Sequence, residues 1–253
     1  MIDLIVFSVG SNKYALNIEN IRRIIQATEL TNIPNAHKLI DGMLSYESKV
    51  IKVLNFRKLI NIESYDEELG TLFVNLKKAH QEWIDGLRHA VENSLPFTKT
   101  TNPHMCELGV WLDNFNSYDD KVSVILKRLI HNHKSLHVRG GDALALSEAD
   151  PKKALKLVNG EIQDAYNSTM GDLETFMEEL DKVANSLQKL IIYESNNKIF
   201  AIKVDKIEDI AHIQESQIIY SKEEESNEFL QLDGVLDLDN ILINVIKNIN
   251  IPS

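Results

Sequence analysis

The sequence predicts an α+β multidomain protein: a β-rich domain in two parts, residues 1–70 and 187–253, interrupted by an all-α four-helix insert over residues 71–186. Three observations carry this. Isoleucine occurs 11 times in residues 1–62 and 14 times in 187–253, but only 4 times in 71–186. β-Branched side chains favour strands, so the ends read as sheet and the middle as helix. The ends also repeat one another, and the middle carries apolar residues at helical spacing.

The repeat is collinear. Leu4-Ile5-Val6-Phe7 and Lys13-Tyr14-Ala15-Leu16-Asn17-Ile18 match Leu190-Ile191-Ile192-Tyr193 and Ile199-Phe200-Ala201-Ile202-Lys203-Val204 at an offset of 186. Asp41-Gly42-Met43-Leu44 matches Asp233-Gly234-Val235-Leu236 at an offset of 192, a register that continues through Val53 with Val245. Two similar small β units facing each other are expected. Gly10-Ser11-Asn12 and Ser195-Asn196-Asn197 read as hairpin turns.

In the middle, Phe73, Leu76, His80, Trp83, Leu87 and Ala90 mark one amphipathic helix, and Val122, Leu126, Leu129, His133 and Leu136 a second. After Asp150-Pro151, an N-cap and first-turn pair, Leu155 to Val183 mark a long third helix with Gly160 and Gly171 as weak points. A short helix is expected after Cys106. The acidic stretch from Tyr65 to Gly70 reads as a linker into the insert.

Composition narrows the function classes. A net charge of −11 argues against nucleic acid and against anionic membrane surfaces as partners. No apolar run reaches membrane-spanning length, Met1-Ile2-Asp3-Leu4 has no signal-peptide character, and one cysteine excludes an internal disulfide. A soluble cytoplasmic protein is expected. A Gly-rich phosphate loop, a His-Glu-x-x-His pair and a nucleophile elbow are all missing, so an enzyme is not expected.

Six of the eight histidines lie in the insert, beside the single cysteine. His133 and His137 stand four apart, which puts both imidazoles on one helical face with Cβ atoms about 5 to 6 Å apart. They fall on the apolar stripe and point inward, as a metal bound from one helix requires. His80 takes the equivalent inward place on the first helix. Cys106, after Asn102-Pro103, stands at a helix start, where the dipole favours thiolate. A buried core histidine and a small buried cysteine are the ordinary alternatives for each residue singly. His104 competes as a ligand by proximity; His89 and His131 fall off the inward stripes and read as solvated, and His37 and His212 as structural or surface residues.

Two families are resembled. Tyr14-Ala15-Leu16-Asn17-Ile18, Ile33-Pro34-Asn35-Ala36-His37, Val50-Ile51-Lys52-Val53-Leu54-Asn55-Phe56-Arg57 and Ile202-Lys203-Val204-Asp205-Lys206-Ile207 resemble the CheW chemotaxis adaptor family. That resemblance implies a pair of SH3-like five-stranded β-barrels, with a chemotaxis histidine kinase and chemoreceptors as partners. Glu47-Ser48 stand where the family usually carries Arg-Gly, which puts the usual docking in question. His80-Gln81-Glu82-Trp83, Cys106-Glu107-Leu108-Gly109-Val110-Trp111-Leu112 and His133-Lys134-Ser135-Leu136-His137 resemble the chemoreceptor zinc-binding (CZB) domain.

The second resemblance implies one zinc ion per chain, held by His80, Cys106, His133 and His137, and a homodimer through the insert. It further implies sensing of zinc or of an oxidant such as hypochlorous acid through Cys106. Two alternatives stand beside it: a constitutive scaffold with a purely structural zinc and a dimerising insert, and a three-ligand zinc hydrolase with Glu82 or Glu107 as base.

Overall fold

The computed structural model describes residues 1–220 and 227–252. These fall into two compact units, Met1–Tyr65 with Ala184–Ser253, and Asp66–Val183.

The first unit holds β1 (Ile2–Val9), β2 (Asn12–Asn17), β3 (Ile21–Gln26), β4 (Ile40–Tyr46) and β5 (Lys49–Asn55), then a one-turn helix α1 (Phe56–Leu59). After the insert come β6 (Lys189–Ser195), β7 (Lys198–Val204), β8 (Lys206–Ile213), β9 (Ile218–Tyr220), β10 (Leu230–Leu238) and β11 (Ile241–Ile249). One sheet has six strands in the order β8-β1-β2-β11-β10-β9, and the other five, β3-β6-β7-β5-β4.

Each sheet therefore draws on both halves of the repeat. The two expected β units are present, with six strands in one and five in the other. The β1–β2 hairpin joins the sheet of the C-terminal half, and the β6–β7 hairpin joins that of the N-terminal half. The joints are parallel pairings, Ala15 opposite Val245 and Val53 opposite Ala201. Under the repeat Ala15 corresponds to Ala201 and Val53 to Val245, so the two joints are copies of one another. The antiparallel partners obey the same rule: Ile5 faces Ile210, and Ile24 faces Ile191. Strands that resemble each other pair equally well within a half or across it, and local pattern cannot tell these apart.

Strands β1 and β6 are buried along most of their length, as their near-continuous apolar runs require. Phe7, Tyr14 and Phe56 form an aromatic cluster with centroids 4.8 to 5.8 Å apart, in a core shared with Leu54, Tyr193, Phe200 and Ile246. The expected turns are present, with Gly10, Asn196 and Asn197 in left-handed conformations. Glu47 and Ser48 form a third such turn, between β4 and β5, so the departure from Arg-Gly places a serine at φ 63°.

Gly42 and Gly234 are the glycines of the repeat, and the close approach of a neighbouring segment explains both. A Cβ on Gly234 would lie 2.4 Å from the carbonyl oxygen of Ile219 in β9; on Gly42 it would lie 2.7 Å from that of Thr31. Thr31 makes a single bridge to Met43, so the five-stranded sheet keeps only a trace of the sixth strand.

The second unit contains α2 (Tyr65–Asn93), α3 (Glu107–Asn114), α4 (Asp120–Ser147), α5 (Pro151–Leu157), a π-helical turn over Val158–Ile162, and α6 (Gln163–Met177). A final helix, α7 (Leu180–Leu187), leads back to β6. The acidic stretch from Tyr65 is not a linker. It is the first turn and a half of α2, where Asp66, Glu67 and Glu68 complement the helix dipole. Asp150 accepts from the Lys153 amide (3.1 Å) with Pro151 in the first turn, as the sequence indicates. Of the two weak points in the third helix, Gly160 lies in the π turn, whereas Gly171 sits inside the unbroken α6. The rod breaks instead at Glu178–Glu179.

Gly234→Ala is expected to push β9 off its sheet, at a cost of about 1 to 3 kcal/mol, whereas alanine at the unobstructed Gly160 is tolerated. Thermal midpoints of the two variants check this; equal midpoints would refute the close-approach reading.

Candidate metal centre

Three elements bring four donors together. His80 lies on the buried face of α2, between Leu76 and Trp83. His133 and His137 lie on the buried face of α4, with Leu129, Leu136 and Gly140. Cys106 is the N-cap of α3, reached through the tight turn Pro103–Met105, whose own start is capped by Asn102. The sulfur of Cys106 is 3.4 Å from Nε2 of His80 and 3.4 Å from Nε2 of His133. A tetrahedron with zinc bond lengths has edges of about 3.3 to 3.8 Å. The ligand atoms of all four residues lie within 4.8 Å of one another.

All three imidazoles are buried, and Cys106 is half-buried. Desolvation, with repulsion from His137 and His80, pulls His133 down to about 3. Desolvation and His80 pull His137 down to about 4, and burial lowers His80 as well. The rings are therefore neutral near pH 7, the state in which imidazole is a ligand. Burial raises the Cys106 thiol, with the amides of Gly109 and Leu108 acting the other way. Nδ1 of His80 lies 2.8 Å from the Leu76 carbonyl, which can only accept. Nδ1 therefore carries the proton, and Nε2 turns its lone pair towards Cys106. Both ring nitrogens of His137 are buried without a well-formed hydrogen bond, and the Thr100 backbone only partly offsets their desolvation. Poorly satisfied buried polar atoms beside a thiol are costly as they stand, and a divalent cation suited to nitrogen and sulfur ligands would satisfy them. The donor set fits zinc.

Packing around the donors gives roles to residues for which sequence reasoning had none. Trp83 donates its indole N–H to the Thr100 carbonyl (2.8 Å) and lies 4.8 Å from the His137 ring. A Cβ on Gly140 would lie 2.3 Å from Trp83, so glycine lets α4 approach that indole. A Cβ on Gly109 would lie 1.6 Å from the Pro103 carbonyl oxygen and 3.2 Å from His133. Gly109 thus permits the tight path that delivers Cys106. On the other side of His80 along α2, Phe73, Trp111, Phe115 and Phe176 form a close aromatic cluster.

The other histidines, His37, His89, His104, His131 and His212, are exposed. His104 pairs with Asp113 (2.8 Å) and is not among the four. Glu82 and Glu107, the bases weighed for a hydrolase, are exposed, and Glu82 is bonded to Lys99.

Residues 3–83 match the CheW-like domain family. The chemotaxis protein CheW of Thermotoga maritima is 19% identical over 105 residues, covering 40% of this chain and 70% of that protein. The CheW of Treponema pallidum is 28% identical over 72 residues, 26% of this chain and 42% of that protein. Among solved structures, the scaffolding protein TtCheW from Thermoanaerobacter tengcongensis aligns over 97% of this chain and 88% of its own, with a TM-score of 0.44 and 12% identity. The regulatory CZB domain of DgcZ aligns over 46% of this chain and 98% of its own, with a TM-score of 0.39 and 16% identity. The CheW-like match begins in β1 and runs into α2 as far as Trp83. No helix among the described residues is long and apolar enough to cross a membrane.

The depressed histidines make the metal-free protein sensitive to acid. The unfolded chain takes up protons near the ordinary histidine value, while folded His133 and His137 resist until about 3 and 4. Stability is therefore complete above about pH 6.5 and falls as the pH drops through that value towards 4. Denaturant midpoints between pH 7 and 5 should decline, with a smaller slope in His133→Gln; identical slopes would contradict the buried neutral ring.

Proposed function

We propose that this chain is a chemotaxis adaptor whose helical unit holds one zinc ion through His80, Cys106, His133 and His137, and which senses zinc or an oxidant through that centre. The observation that carries the reading is the convergence of three buried neutral imidazoles and one sulfur on a single point. The CheW-like domain supports the adaptor part, with a chemotaxis histidine kinase and chemoreceptors as partners. The Glu47-Ser48 turn replaces an arginine by an acid on that domain and would weaken contacts made through the arginine.

Zinc, when bound, supplies the positive charge that keeps the Cys106 sulfur as thiolate and joins α2, α3 and α4. His80 is held in the correct tautomer by Leu76, and His133 and His137 are held by their shared helix face. Four protein donors leave no place for a reactive water, which speaks against catalysis. The exposed positions of Glu82 and Glu107 speak against the hydrolase alternative. Cys106 is the reactive member. Its half-buried sulfur can attack hypochlorous acid, giving sulfenic acid and chloride in a two-electron oxidation of sulfur. The sulfenic acid is a poorer ligand, and α3 is then freed from the histidines on α2 and α4. A homodimer through the helical unit belongs to the same reading, supported by the exposed Val124 and Val138 two heptads apart on α4.

Purified protein should contain one zinc per chain, with three nitrogens and one sulfur by X-ray absorption at the zinc edge. Cys106→Ala should weaken zinc binding roughly 100-fold or more while the strand signal in circular dichroism persists. Unchanged affinity in that variant would break the ligand assignment. Stoichiometric hypochlorite should release zinc from the parent; retention with an unreacted Cys106 would leave the metal as a permanent staple.

A further inference from the structure

Asp205, at the turn between β7 and β8, receives bonds from three separated parts of the first unit. Arg57, in α1, donates through Nε to both carboxylate oxygens (2.9 and 3.0 Å) and through Nη2 to Oδ2 (2.7 Å). The Gly10 amide, in the β1–β2 turn, donates to Oδ2 (2.7 Å). Gln188, between α7 and β6, donates through Nε2 to Oδ1 (3.0 Å). Arg57 in turn donates through Nη1 to the carbonyl of Glu63 (2.9 Å), just before α2, and its guanidinium carbon lies 4.5 Å from the centre of the Tyr65 ring. Arg57 and Gln188 are each 2% exposed and Asp205 9%.

Glu63 and Gln188 lie where the chain leaves the β sheets for the helical insert and where it returns. One carboxylate and one guanidinium thus hold both chain segments that join the insert to the sheets, and Asp205 also holds the β1–β2 turn. Gln26 adds to the hold on one side, donating to the carbonyls of Ser186 (3.0 Å) and Gln188 (2.9 Å). A buried bidentate pair of this kind is unforgiving: removing one partner strands the other charge, so the network holds or fails together. The repeat does not carry the pair. Ile249 stands at the position that corresponds to Arg57, and Glu19, at that of Asp205, is exposed. The device belongs to the side of the fold that carries the insert.

We infer that the Arg57–Asp205 pair is a clasp through which the two chain segments leading to the helical insert are coupled to the β1–β2 hairpin. Displacement of either segment is felt at Gly10 by way of Asp205. Its use in signalling rests on the sensor reading above; the clasp itself does not.

Hydrogen–deuterium exchange on the full-length protein, metal-free and with one equivalent of zinc, tests this with Asp205→Asn. Peptides covering 60–66, 184–190 and 8–13 should all exchange roughly tenfold faster or more in the variant, in both metal states. Peptides covering 129–137 should be unchanged, and so should zinc uptake. Gln188→Met removes one arm only and should speed 184–190 and 8–13 by a smaller factor, which keeps the test decisive if Asp205→Asn does not fold. Acceleration of one segment alone, or of none, overturns the clasp. Failure of the parent to take up zinc instead overturns the sensor reading and leaves the exchange comparison intact.

Discussion

The two parallel pairings, β2 with β11 and β7 with β5, are the joints on which the β unit depends. Each fastens the first hairpin of one half to the last strand of the other, so neither half has a complete sheet without its partner. The apolar clusters follow from this. Leu4, Val6, Ala15, Ile243 and Val245 pack in one sheet, and their repeat equivalents Leu190, Ile192, Ala201, Ile51 and Val53 pack in the other. A third core, of Phe7, Tyr14, Phe56, Tyr193 and Phe200, is shared by both halves. A chain that exchanges hairpins tolerates a large insertion between its halves, because strand pairing rather than a short connection brings them together.

The helical unit is organised by an opposite constraint. Its centre contains polar atoms that gain nothing from being buried: poorly satisfied nitrogens on His137, a thiol, and rings held neutral by desolvation. An apolar layer there would be more stable without metal. The surrounding packing nevertheless converges on the donors, with Gly109 and Gly140 clearing space and Leu76 setting a tautomer. Zinc is compatible with a donor set of this kind and would satisfy its buried polar atoms.

Much of this was legible in the residues. The isoleucine distribution marked the β parts, the 3.6-residue stripes marked α2 and α4, and the four-residue spacing of His133 and His137 put both rings on one face. Cys106 was different: spacing placed it at a helix start, and only motif resemblance tied it to the histidines. The hairpin exchange was hidden because the repeat makes both pairings look alike. The expectation of a linker failed at Tyr65–Gly70 because acids mark helix N-termini as readily as they mark linkers. The clasp at Asp205 was hidden too, since its partners lie up to 195 residues away and none is part of a periodic pattern.

The exchange of hairpins also sets an order of events during synthesis. Strands β1 to β5 are made before β6 to β11, so β2 has β1 on one side but lacks its second neighbour until β11 has been made. Residues 66–183 form one contiguous compact unit, so all of its parts have been made before β6 to β11 are added. The β unit cannot close until β11 has been made, and its first hairpin keeps an open edge until then. A chaperone that covers such edges has its longest task at β2.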